Sequence, residues 1–277
     1  MLQCLQKPRK ASLVACENCF SPTRLLNFLV CYYLCGEMTT LIFIFLLAIG
    51  ASLIQRVSGF GFGIFVMMFF PYFIPSYGEA TTLSGLLAGS TALIIAIRNF
   101  RHIQWGIMLP LLVVNVIASY IAIEYMASLS SVALKRCFGA MFVLIAIYFL
   151  FFEKKDRRLP RNWWTKGVLG TLSGVMGGMF AMPGPPIVLY CISNINGKLA
   201  YIATLQAFSF ILNIFYTGFR AKVGFFGENT LLWWVVGLLG ALIGTTIGTR
   251  LFGIISSEIL KKVVYILLFI SGVVAMI

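Results

Sequence analysis

QRVSGFGFG, residues 55–63, interrupts the first clearly apolar run of the chain with two polar side chains, a serine and three glycines at alternate positions. Hydrocarbon offers no partners to free N–H and C=O groups, so irregular backbone at membrane depth persists only where protein buries it or a cavity adjoins it. The stretch is therefore where the function is expected to lie. A second interruption, AMPGPPIVLY at residues 181–190, follows in the later part of the chain.

Both interruptions sit in a sequence built for a bilayer. Of 277 residues, 60% are hydrophobic and 10% charged, and the mean hydropathy is +0.97; this is too little polar surface for a soluble globule of that size. Apolar runs of about 18 or more residues recur from Thr39 onward, each able to cross about 30 Å of hydrocarbon as a helix. The alternating ten-residue segments of a β-barrel are absent. The expected fold is all-α: a polytopic transmembrane bundle in a cell membrane, the bacterial inner membrane being the natural setting.

A net charge of +13 would point to nucleic acid in a soluble protein. Here the Lys and Arg fall between spans, where they set topology, so the expected partner is the lipid bilayer and not nucleic acid. The densest group, Lys154, Lys155, Arg157, Arg158, Arg161 and Lys166, places its loop in the cytoplasm. Five of the seven cysteines precede Met38, and CENC at residues 16–19 has no second pair at zinc-site spacing. With His102 as the single histidine, neither a metal centre nor a catalytic triad is expected, and no cofactor. Residues 1–37 read as an N-terminal extension, with Met38 expected as the natural start and a targeting segment as the alternative.

From Met38 the apolar segments run 39–57, 59–75, 79–98, 105–126 and 132–152, then 163–181, 184–193, 198–219, 230–250 and 259–277. Sliding the chain by 122 residues aligns 38–155 with 160–277 without a gap, which divides it into a first repeat, 38–155, and a second, 156–277. The match is of hydropathy, with a few coincident residues such as Thr82 with Thr204 and Arg98 with Arg220. It superposes the two interruptions, Gly61-Phe62-Gly63 falling on Pro183-Gly184-Pro185. If each interrupted element crosses once, the halves are parallel; if it returns as a hairpin, they are inverted. Counting Lys and Arg favours the hairpin, which gathers Arg98, Arg101, Lys198, Arg250, Lys261 and Lys262 on the side of the basic linker. The count is a bias, and both arrangements stay open at this point.

Gly59, Gly61 and Gly63 suit a non-helical turn. Pro183, Pro185 and Pro186 end one helix and are tolerated at the start of the next. Short helices are expected over 64–75 and 187–193, starting inside the membrane with free N–H groups and the positive dipole end toward a cavity, a site for an anion. The competing reading is that the glycines permit close packing and the prolines kink. Arg56 is either an anion contact or a side chain snorkelling to an interface. Gln55 and Ser58 are polar neighbours of the break, and Gln206, Ser209 and Asn213 share one face of the segment 198–219. Ser84 and Thr91 are the repeat partners of Gln206 and Asn213. Asn115 and Glu124 are isolated polar residues on 105–126.

Gln55 followed by SGFGFG after a first apolar span, with GMFAMPGPP in the second half, resembles the sulfite exporter TauE/SafE family of membrane transporters, also described as the toluene sulfonate uptake permease family. Gln55, Gly59, Gly61 and Gly63 match its first motif, and Gly178, Pro183, Gly184, Pro185 and Pro186 its second; Arg56 departs from the pattern. The resemblance implies an internally duplicated carrier for sulfite, sulfoacetate or other sulfur-containing or organic anions. No GxxxxGK[ST] phosphate loop occurs, so coupling to a proton or sodium gradient is the default. The expected activity is secondary transport of a small anion bound where the interruptions meet. A channel would need a continuous polar pore, and an intramembrane enzyme would need titratable groups at depth, of which only Glu124 and Arg56 come near.

Overall fold

The structure, a computed structural model, describes residues 22–129, scattered positions between 134 and 147, residues 159–251, and residues 269 and 273; for 22–36, Val57, Ser58, Lys198 and Leu251 it describes backbone only. The spans expected at 132–152 and 259–277, the start of the basic linker, Lys261, Lys262 and the N-terminal cysteine side chains lie wholly or largely outside the described residues. The described residues are helical and contain no strand. Contacts divide the chain after Ile42; the described part of the first unit is the opening of helix α1, and everything below concerns the unit from Phe43 on.

The helices are α1 (Pro22–Ser58), α2 (Phe62–Met67), α3 (Phe70–Phe73), α4 (Tyr77–Arg98), α5 (Trp105–Ala127), α6 (Trp163–Phe180), α7 (Gly184–Asn194), α8 (Lys198–Lys222) and α9 (Thr230–Leu251). Five segments among the described residues are long and apolar enough to cross a membrane: Glu37–Arg56, Tyr77–Arg98, Trp105–Ala127, Leu199–Lys222 and Thr230–Arg250. The short helix expected over 64–75 is two pieces, because Pro71 lacks the N–H that would continue α2 and instead opens α3. Its counterpart α7 starts at Gly184 with both prolines in its first turn, where their missing donors cost nothing.

Helix boundaries recur 122 residues apart at the breaks. α1 ends at Ser58 and α2 begins at Phe62; α6 ends at Phe180 and α7 begins at Gly184. The terminating geometry recurs as well. Gly59 N–H donates to Gln55 O at 2.8 Å, and Ala181 N–H donates to Gly177 O at 3.1 Å. Gly59 has φ 84° and Ala181 φ 57°, the left-handed residue that commonly closes a helix. At Gly59 the conformation is free of Cβ strain, whereas Ala181 carries it.

Glycines set how the long helices lie against each other. On α6, a Cβ at Gly170, Gly174 or Gly178 would meet in turn Val114, Asn115 with Ala118, and Ser119 with Ala122 of α5. On α9, one at Gly240, Gly244 or Gly248 would meet Phe45, Ile49 with Ser52, and Leu53 with Arg56 of α1. Spacing of four keeps each trio on one face and lets backbones approach closely, the association device of membrane helices. The order of contacts makes both pairs parallel. α4 and α8 instead run antiparallel, with Arg220 bonded to Thr81 O and Asn213 packed against Gly85 and Gly89. α9 runs parallel to α4, placing Thr230 on Glu79 and Gly237 on Leu87. α1 and α4 therefore point the same way, and residues 59–76 carry the chain back between them.

Exposed apolar side chains such as Ile97, Leu109, Ile121 and Leu239 face outward as a lipid-embedded bundle requires. Trp163 and Trp164 are strongly exposed at the start of α6, with Lys166 Nζ 5.0 Å above the Trp163 ring. This aromatic and basic pairing suits a membrane–water interface.

Candidate functional site

The two breaks face each other. A Cβ at Gly63 would collide with Ala181 O, so the backbones of the two breaks meet there only because that side chain is missing, while one at Gly184 would make an ordinary contact 3.5 Å from Phe60 Cβ. Between them lies a cavity of about 50 Å³ lined by Gln55, residues 59–64, Ala88, residues 181–184, Ile187, Leu205, Phe208, Ser209 and Asn213. This is room for a few waters or one small solute, well below the roughly 300–1,000 Å³ of a drug-sized pocket.

Each break is tied down by a chain of three hydrogen bonds. At the first, Gln206 Nε2 donates to Gly59 O at 2.9 Å, Gln55 Nε2 donates to Gln206 Oε1 at 3.0 Å, and Thr91 Oγ1 donates to Gln55 Oε1 at 2.7 Å. At the second, Ser173 Oγ donates to Pro183 O at 2.6 Å, Asn115 Nδ2 donates to Ser173 Oγ at 2.8 Å, and Tyr216 Oη donates to Asn115 Oδ1 at 2.6 Å. Every one of these side chains is buried. Unpaired, each carbonyl and amide would carry a desolvation cost. The chains thus hold non-helical backbone that hydrocarbon would not tolerate.

Of the residues singled out in the sequence, Gln55, Gly59, Gly61, Gly63, Pro183, Gly184, Ser209 and Asn213 line the cavity. Gln206 stands behind it, joining Gln55 to Gly59. Pro185 and Pro186 are buried in the first turn of α7, and the side chain of Ser58 lies outside the described residues. Arg56 does not line the cavity: its Nε donates to Thr249 Oγ1 at 3.1 Å on α9. Glu124 is exposed and 3.5 Å from Lys222 Nζ.

The sequence reading passed over Ser173, Tyr216 and Arg220 and gave Asn115 little weight. Arg220, treated there as a loop cation, is fully buried inside α8. Its Nη2 donates to Gly177 O and Gly178 O at 2.9 Å each, and its Nη1 to Thr81 O at 3.0 Å. Arg220 lies in the last turn of α8, where a cation ordinarily reaches toward the interface, so the sequence carried no signal of its burial. Ser84, the repeat partner of Gln206, is fully buried beside Gly63 with no hydrogen-bond partner for its hydroxyl.

Chemically the site offers neutral hydrogen-bonding groups and backbone amides to a small solute. The first N–H groups of α2, at Phe62, Gly63 and Ile64, have no partner within their helix, while prolines remove two of the donors of α7. Among the described residues no group of three or more His, Cys, Asp or Glu is placed to hold a metal ion.

A bundle of apolar helices in which two broken elements enclose a small cavity defines a multi-pass membrane protein. The chain belongs to the sulfite exporter TauE/SafE family, whose model matches residues 44–275, and the family is one of membrane transporters. Comparison with curated proteins and with solved structures returns no match.

Proposed function

We propose that the protein is a secondary transporter of a small anion, such as sulfite or an organosulfonate, bound in the cavity between the two breaks and driven by a proton or sodium gradient. One observation carries the reading: Gly59 to Gly63 and Ala181 to Gly184, far apart in sequence, line the same cavity. Its size suits a solute of a few heavy atoms. In this account amides of α2 and the end of α7 meet the negative charge, while Gln55, Ser209 and Asn213 supply hydrogen bonds.

Repeated helix boundaries and the antiparallel packing of α4 on α8 support two inverted halves, the architecture in which one half rocks against the other around a fixed central site. The bacterial inner membrane is the proposed location. Saturable uptake of radiolabelled sulfite into liposomes, with counterflow from the loaded side, tests the reading. Unsaturable flux without counterflow would make the protein a channel and overturn it.

A further inference from the structure

We propose that Arg220 is the fixed cation that gives the cavity its preference for anions, an inference that rests on the transport reading above. No residue lining the cavity is charged. Two helices, α1 and α6, end at it, and a helix C-terminus carries about half a negative charge. Those ends offset the positive N-terminal ends of α2 and α7, which begin at the same cavity, so the backbone alone gives an anion little net attraction.

Arg220 tips this balance at the end of α6. Its guanidinium takes the last-turn carbonyls of α6, Gly177 O and Gly178 O, three residues from the Ala181 that lines the cavity. The fork also reaches Thr81 O on α4, and the guanidinium lies 5.6 Å from the Tyr216 ring centre. Among the described residues no carboxylate pairs with it, and its Nε is buried without a hydrogen-bond partner. A whole positive charge is thus set against half a negative one.

Its charge reaches the cavity through Asn213. A Cβ on Gly85 would lie 3.0 Å from Arg220 Nη1 and 3.1 Å from Asn213 Oδ1, so the two side chains share the space that glycine leaves open, and Asn213 lines the cavity. A fully buried charge is screened little by salt, and membrane proteins retain such charges at solute pathways because burying them is costly. The device is one-sided: Arg98, at the equivalent position, is exposed.

The test is inhibition of sulfite uptake in liposomes by methanesulfonate, an anion, and by dimethyl sulfone, a neutral molecule of similar shape. Arg220→Gln should lower the ratio of the dimethyl sulfone inhibition constant to that of methanesulfonate at least tenfold, with Arg220→Lys staying near the wild-type ratio. A residue that only clasps helices would shift both constants together. Asn213→Asp, which sets a carboxylate between Arg220 and the cavity, should raise the sulfite KM at least tenfold over Asn213→Ser.

A folded Arg220→Gln protein with the wild-type ratio overturns the proposal while sulfite transport stands. Should that variant not fold, equal KM values for Asn213→Asp and Asn213→Ser overturn it. Wild-type protein that moves no small anion overturns the functional reading itself, and this proposal with it.

Discussion

Gln55 and Gln206 meet amide to amide at 3.0 Å, 151 residues apart in the chain. Through Gln206 the bond continues to Gly59 O, so the residue that opens the first break is held by a helix of the second half. Removing either glutamine leaves a buried partner unsatisfied. A double-mutant cycle with Gln55→Ala and Gln206→Ala, read by thermal unfolding in detergent, should give a coupling of about 0.6–1.7 kcal/mol, the range for interhelical hydrogen bonds in membrane proteins.

Gly63→Ala should abolish transport, because the new Cβ would occupy the position of Ala181 O and push the breaks apart. Gly218→Ala is the control. It lies within α8 with nothing within 4 Å of its Cβ, so the change should keep transport and raise stability by about 0.5–1 kcal/mol. Uptake assays and melting curves on the two proteins check the contrast.

Ala181→Gly should stabilise the protein by about 1 kcal/mol, since Ala181 sits at φ 57° where a Cβ costs about 1–2 kcal/mol. The comparison is sharpened by its counterpart Gly59, for which Gly59→Ala should cost a similar amount. Unfolding midpoints of both variants provide the check.

Arg56→Gln should leave the KM for sulfite within about threefold of wild type, less than 1 kcal/mol of binding, because Arg56 turns to Thr249 and away from the cavity. Steady-state uptake decides between this outcome and the anion contact that its position next to Gln55 suggests.

Much of this arrangement was legible in the sequence because lipid restricts what the backbone can do. An apolar run broken by SGFGFG or by AMPGPP has few explanations at membrane depth, and the 122-residue register brought the two together. The spacing of Gln206, Ser209 and Asn213 on one helical face was readable for the same reason. Three features were hidden. Ser173, Asn115 and Tyr216 lie on three different helices, and no local period announces that they will meet under Pro183. Arg220 sits near the end of a span, where a cation usually snorkels, and only the packing of α4, α6 and α8 around it shows that it cannot. The split of the short helix into α2 and α3 depends on Pro71, whose place in the first turn of α3 follows from where the chain must turn back.

The return of the chain between α1 and α4 has a direct consequence for sidedness. Single cysteines introduced at Arg101, Asn196 and Arg161 should be labelled from one face of the membrane, and one at Gly224 from the other. Labelling of all four from the same face would contradict the running directions of α4, α5 and α8.

The central claim, that the two breaks together hold one small anion, is tested most directly by solving the structure with selenite, whose selenium marks a sulfite-like anion by anomalous scattering. The account predicts one peak between Gly61–Gly63 and Pro183–Gly184, within reach of Ser209 and Asn213. A transport-competent protein whose selenium peak lies away from both breaks would contradict it.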